Sequence, residues 1–123
     1  QYKPDIDILV LDGIPRNVEQ ARILENHVKI HHVFHLSCPD RDELARRMRK
    51  RALKDNRIDD ASEDVIQRRI KLYEDETKPI LDYYPNEICS EVDATQSPAK
   101  VLYDILACLQ TLEVYQKIAK LTV

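Results

Sequence analysis

The turn at residues 9–21, with the sequence LVLDGIPRNVEQA, concentrates side chains that could contact a phosphorylated ligand. Asp12 ends an apolar run, where a carboxylate can order water or the hydration shell of Mg²⁺ beside phosphates. Gly13 is the only glycine of the chain and permits close approach of the backbone, and Arg16 offers a planar fork of donors. Gln20 follows with an amide that could read a base edge. The alternative is an ordinary strand-to-helix turn with a solvated arginine.

Arginines in the middle of the chain form a second group: Arg47, Arg51, Arg57 and Arg69. Arg47 and Arg51 are four residues apart, so they share one face of a helix. Arginine is used in preference to lysine at most of these basic positions, which favours bidentate contacts with phosphate. Asp59 and Asp60 would hold neighbouring arginines in place or hydrogen-bond the loop. The alternative is a charge run on a solvated face.

Strands and helices are predicted to alternate along the chain. The predicted strands are residues 5–11, 30–36 and 87–92. The predicted helices are Val18–Glu25 with Asn17 as cap, a helix from about 37 to 53, a helix after Ser62, and a last helix with Ser97 as cap. This order predicts a three-layer α/β/α fold with a parallel sheet, whose ligands bind at the carboxyl ends of the strands.

The apolar periodicity predicts which helix faces are buried. The first long helix should turn Leu44, Met48 and Ala52 inward. The next should use the face Ile66, Ile70, Tyr73, Thr77, Ile80 and Tyr84, and Pro79 should kink or split it. The last helix should bury Val101, Leu102, Ile105, Leu106, Leu109 and Leu112.

Composition limits the class of protein. The 123 residues are 43% hydrophobic and 33% charged, which fits about one domain. The net charge of −3 argues against a nucleic-acid binder, and we expect no nucleic-acid or membrane partner. Three widely spaced cysteines and a polar N-terminus predict reduced thiols in a cytoplasmic protein. His31 and His35 are interpreted as core or surface residues rather than metal ligands.

Three blocks of the chain, LDGIPRNVEQA, RIDD and RRIKLYEDETKPILDYY, occur in the order and near the spacing of a known pattern. Together they resemble adenylate kinase and its nucleoside monophosphate kinase relatives, over about residues 5–112. The resemblance implies a P-loop NTPase-type kinase fold and a transferase that converts ATP and AMP to two ADP with Mg²⁺, in nucleotide biosynthesis. It also implies AMP rather than uridylate or cytidylate as acceptor, because Gln20 stands where the latter enzymes tend to carry Asn.

The resemblance also implies roles for individual residues. The catalytic set is Asp12, Arg47, Arg51, Arg57 and Arg69, and Asp12 would hold Mg²⁺ through water. The AMP-binding set is Gly13, Arg16, Gln20, Arg57 and Arg69. The ATP-binding set is Arg47, Arg51 and Gln96.

Several features depart from the family pattern. Ile14 replaces the usual Phe, and one extra residue follows RIDD, so Arg69 rather than Arg68 is aligned by its distance to Tyr73. The lid, at about 47–60, is short and has no cysteine quartet for zinc. No GxxxxGK[ST] loop is present, so the kinase fold is incomplete in this chain and the N-terminal half of the enzyme is an expected partner.

The expected organisation is a core at 1–112 and a helical extension or linker at 113–123. Alone, the chain is expected to be inactive. The alternative is a non-catalytic kinase-like module that binds nucleotide or serves a structural purpose in a larger protein.

Overall fold

The structure is a computed structural model that describes residues 1–122, of which the side chain of residue 122 is excluded. It contains five α-helices and two strands within that range. In chain order these are α1 Val18–Glu25, β1 Val33–Ser37, α2 Arg41–Lys54, α3 Glu63–Tyr83, β2 Cys89–Asp93, α4 Pro98–Leu109 and α5 Glu113–Thr122. Short 3-10 helices occupy Ile58–Ala61 and Asn86–Ile88.

The starts of α1 and α4 follow the predicted capping signals, whereas α2 begins at Arg41, later than the predicted start at about residue 37. Asn17 accepts a hydrogen bond from the Gln20 main chain at 2.9 Å and begins α1. Asp40 caps α2, and Ser97 caps α4 with Pro98 at the first helical position. Ser62 precedes α3 as predicted, but its side chain makes no capping hydrogen bond.

Strands β1 and β2 form a parallel two-stranded sheet, with Val33 opposite Cys89 and Ser37 opposite Asp93. Both strands therefore end at the same edge. The main chain of Ala94 donates to the Ser37 carbonyl at 2.8 Å, which extends the pairing into the following loop. The sheet has the predicted parallel arrangement, and the mixture of helices with a parallel sheet is compatible with an α/β kinase fold.

The core lies between α2 and α3. Ala45, Ile66 and Ile70 are buried together, and Leu44 and Met48 pack against them. Ile66 and Ile70 have no exposed surface, so the predicted inner faces are confirmed at these core positions. Tyr84 is also buried, just beyond the end of α3. Tyr73 was predicted to face inward as well but is 43% exposed, because it lies beyond the core contact with α2 and its hydroxyl donates to the Leu36 carbonyl at 3.3 Å.

The predicted first strand, at residues 5–11, is wrong for this structure. A turn at residues 3–7 replaces its beginning, since the main-chain amides of Ile6 and Asp7 both donate to the Lys3 carbonyl. Leu9 and Val10 are 49% and 79% exposed. A strand is stabilised by a ladder with a neighbouring strand, and no strand among residues 1–122 pairs with this segment.

Two further expectations about helices are corrected. Leu102 and Leu106 of α4 were expected inward but are 56% and 46% exposed, because a two-stranded sheet is too narrow to cover that helix face. Pro79 does not split α3, which continues through it to Tyr83. A proline removes only one main-chain donor, so a helix of 21 residues can continue through it.

Among the helices of residues 1–122, none combines the length and the apolar character that crossing a membrane requires.

Candidate functional site

The turn before α1 is fixed by its own hydrogen bonds. Gly13 adopts a φ of +77°, a conformation that side-chain-bearing residues rarely take. A Cβ added there would lie 3.6 Å from the Arg16 guanidinium, so the glycine is required for its backbone angle rather than for space. The Nε of Arg16 donates to the Gly13 carbonyl at 3.0 Å. The guanidinium predicted to contact phosphate is thus folded back over the bend.

Gln20 joins the bend to the helix. Its Oε1 accepts from the Arg16 main chain at 2.8 Å, while its own main-chain amide donates to Asn17. These reciprocal bonds leave the amide nitrogen of the Gln20 side chain without a hydrogen bond among the described residues. The group that could read a base is therefore a donor.

Asp12 is exposed at the start of this bend, and its carboxylate has no hydrogen bond or ion pair within residues 1–122. A single free carboxylate fits Mg²⁺, which is commonly held by one or two carboxylates together with water and phosphate oxygens. No group of three or more metal-binding side chains occurs in the described part of the chain.

The end of α2 places Arg57. Asn56 lies in the left-handed region at φ +58°. Its amide donates to the Leu53 carbonyl at 3.1 Å, and the Arg57 amide donates to the Ala52 carbonyl at 2.8 Å. This is the pair of hydrogen bonds of a Schellman motif, which ends the helix and turns the chain sharply.

Arg57 and Arg69 meet at Asp60, which corresponds to the first of the two alternatives considered for Asp59 and Asp60; Asp59 forms no ion pair with them among residues 1–122. The Asp60 Oδ2 lies 3.8 Å from Arg57 Nη1 and 3.3 Å from Arg69 Nη2. Arg57 also pairs with Asp55 at 3.1 Å. The two guanidinium groups are 46% and 45% exposed, so solvent screens these pairs and each contributes about 0–1 kcal/mol.

Arg47 points elsewhere. Its guanidinium donates to the carbonyls of Ala94 and Thr95 in the loop after β2, the latter at 2.9 Å. Its Nε donates to Glu43 at 2.8 Å. Hydrogen bonds from Arg46 and then Arg47 lower the pKa of Glu43 to about 2.

The loop after β2 carries the predicted residue Gln96. Its side-chain amide donates to the Asp104 carboxylate at 2.8 Å and to the Asp93 carbonyl at 3.1 Å. The Asp93 carboxylate accepts from the Thr95 hydroxyl and main chain, and these bonds lower its pKa. The side chain of Gln96 is thus used within the protein.

The structure therefore brings some of the predicted site arginines together and leaves the others apart. Within the part of the chain described, shared contacts join only Arg57 and Arg69. Arg16 contacts the bend at Gly13, Arg47 contacts the loop after β2, and Arg51 is exposed on α2 without an ion pair among residues 1–122.

Two residues of the site were missed from the sequence. Glu43 anchors Arg47, and their spacing of four residues on a helix was a readable signal for this pair. Asn56 ends α2, and asparagine directly after a basic helix end is a known substitute for glycine in that position.

The fold and the exposed arginine pair define an α/β protein compatible with the nucleotide kinase class. No protein-family model matches the chain. It is 39% identical over 106 residues to the adenylate kinase of Rhodopirellula baltica, covering 81% of this chain and 54% of that relative. The adenylate kinase of Rhodococcus erythropolis is 41% identical over 105 residues, with 81% and 54% covered. The chain is related to the adenylate kinase family.

A third relative, the adenylate kinase of Leptospira biflexa, is 41% identical over 80 residues, which cover 61% of this chain and 42% of that relative. The chain thus spans about half the length of the curated relatives it matches.

Proposed function

We propose that this chain is the carboxyl-terminal part of a nucleoside monophosphate kinase that converts ATP and AMP to two ADP. The observation that carries this proposal is the meeting of Arg57 and Arg69 at one carboxylate oxygen of Asp60. Two arginines that share one partly exposed carboxylate through weak ion pairs are a ready site for a more highly charged phosphate. The relationship to adenylate kinases supports the same reading.

The chemistry asked of such a site is positioning and neutralisation of charge, because phosphoryl transfer requires little covalent chemistry from the protein. Arg57 and Arg69 would bind the phosphate oxygens over which charge spreads, and arginine keeps its own charge throughout. Arg51, exposed on α2, would approach ATP when the lid at 47–60 closes and excludes water.

The bend at Gly13 and Arg16 would contact the acceptor phosphate, and Gln20 would donate its free amide N–H to the adenine of AMP. Asp12 would hold Mg²⁺ through water, and this ion supplies charge neutralisation at the phosphates when bound. The backbone of Gln96 would contact the adenine of ATP, because its side chain is occupied.

We further propose that a phosphate-binding loop and the strand beside residues 5–11 come from sequence outside this chain. In that arrangement residues 1–112 form the core of a three-layer fold and residues 113–123 a helical extension. The exposed apolar segment at 5–11 and the short sheet support this view. The expected location is the cytoplasm.

The test is ADP formation from ATP and AMP by the protein that the complete gene encodes. Arg69→Met and Arg57→Met should each lower the rate by about 10³-fold, the lower end of what a single transition-state arginine contributes in GTPases. Arg22→Met is the matched control, because this exposed arginine lies on α1 and its one ion pair among the described residues is with Glu19. Unchanged rates in the Arg57 and Arg69 variants would contradict the assignment, and nucleotide binding without any turnover would favour a non-catalytic module.

A further inference from the structure

The contacts of Arg47 differ in kind from those of the other site arginines. Three of its N–H groups are used, one on the Glu43 carboxylate and two on the main-chain carbonyls of Ala94 and Thr95. The carbonyls are neutral and belong to a loop 47 and 48 residues further along the chain. The planar fork of arginine is suited to bridging two such acceptors at once.

The loop at 93–96 is also tied down at its other groups. The Ala94 amide donates to the Ser37 carbonyl at 2.8 Å, and the Thr95 amide donates to the Asp93 carboxylate at 2.8 Å. The Asp93 carbonyl accepts from the Gln96 side chain. Without Arg47, the carbonyls of Ala94 and Thr95 would have no hydrogen-bond donor among the described residues. Arg47 therefore completes a set of restraints that fixes this loop.

Arg46 provides an internal comparison. It lies beside Arg47 on α2 and forms two hydrogen bonds with the same Glu43 carboxylate, at 2.9 and 2.8 Å. Its side chain is 61% exposed, against 33% for Arg47, and it makes no contact with the loop after β2. The two arginines have the same charge, lie on the same helix and bind the same carboxylate. They differ because Arg47 alone also donates to the two main-chain carbonyls.

We propose that Arg47 is a positioning residue that holds the loop at 93–96 against α2, and that it does not bind the phosphates of a nucleotide. This inference rests on the proposed function, in which the loop contacts the adenine of ATP. Arg47 then acts on base recognition through the loop. Its guanidinium shares the single negative charge of Glu43 with Arg46 and directs two other N–H groups to the two carbonyls.

The first test measures amide hydrogen exchange in this chain without any ligand. Arg47→Met should raise the exchange rate of the Ala94 amide by about tenfold or more, because two hydrogen bonds from a charged donor are lost. Arg46→Met should leave it unchanged. Arg47→Lys keeps the charge, yet it should still raise the rate, since one ammonium group cannot span both carbonyls as the fork does. Equal effects of the Arg46 and Arg47 variants, no effect, or a rise spread over α3 would overturn the inference.

The second test separates base contacts from phosphate contacts in the protein encoded by the complete gene. Arg47→Met should weaken binding of ATP about tenfold and leave binding of tripolyphosphate unchanged, since tripolyphosphate has no base. Arg51→Met should weaken both. A parallel loss of tripolyphosphate binding in Arg47→Met would show that Arg47 binds phosphate. If the unmodified protein binds neither ligand, the proposed function fails, and the exchange experiment still decides whether Arg47 holds the loop.

Discussion

The left-handed residue Asn56 gives the sharpest prediction about how this fold positions an arginine. A left-handed conformation costs an ordinary L-residue about 1–2 kcal/mol, and asparagine and glycine are the residues that tolerate it. Asn56→Ala keeps both Schellman hydrogen bonds available but adds this strain. We expect it to lower the free energy of unfolding by about 1 kcal/mol.

Asn56→Gly is the matched variant. Glycine removes the strain at φ +58°, but its greater freedom in the unfolded chain costs about 0.5–1 kcal/mol. The two effects offset each other, so this variant should lie within about 0.5 kcal/mol of the unmodified chain. The alanine and glycine variants should then differ by about 1 kcal/mol, which is about fivefold in the unfolding equilibrium.

The assay is urea-induced unfolding of the three chains under the same conditions, with amide exchange at Arg57 as a local readout. The Arg57 amide donates to Ala52 only while the left-handed turn is formed, so its exchange should be fastest in the alanine variant. An alanine variant as stable as the glycine variant would refute the reasoning, because strain at this position would then contribute nothing.

Three other predictions concern stability. Asn17→Ala removes the cap on the Gln20 amide and should lower the free energy of unfolding by about 1 kcal/mol, measured in urea. Ile66→Ala should cost about 2–5 kcal/mol because this side chain is fully buried, whereas Leu72→Ala, at a 57% exposed position of the same helix, should cost far less. The pKa of Glu43 is lowered from 4.5 to about 2 in the folded chain. Its contribution to the free energy of unfolding is therefore complete above pH 4.5 and is lost as the pH falls towards 2. The stability difference between the unmodified chain and Glu43→Gln should therefore shrink across that range and stay constant at neutral pH.

Local signals in the sequence were sufficient for the helices. The cap at Asn17 acts on residues within one turn and predicted the start of α1, and the predicted bounds Val18–Glu25 agree with the structure. The periodic faces of α2 and α3 identified Ile66 and Ile70 as core positions for the same reason.

The wrong predictions concern elements whose structure depends on segments distant in the sequence. The apolar composition of residues 5–11 indicated a strand, but a strand forms only against a neighbour, and none is supplied within residues 1–122. The burial predicted for one face of α4 was too high, because that burial depends on the width of the sheet beneath the helix. Similarly, nothing close to Arg47 in sequence indicates that it contacts Ala94 and Thr95.

Two kinds of interaction hold the residues of the candidate site, and they differ in strength. The bend at Gly13 and the loop at 93–96 are held by hydrogen bonds to main-chain groups, which fix geometry. Arg57 and Arg69 are held by solvent-screened ion pairs, Arg69 with Asp60 and Arg57 with both Asp60 and Asp55, which a competing anion can replace at a cost of about 0–1 kcal/mol per pair. The proposed function requires both properties, because it includes recognition of a base and neutralisation of a transferred phosphate. Asp60→Asn should therefore disturb the arginine pair while leaving the loop at 93–96 unaffected.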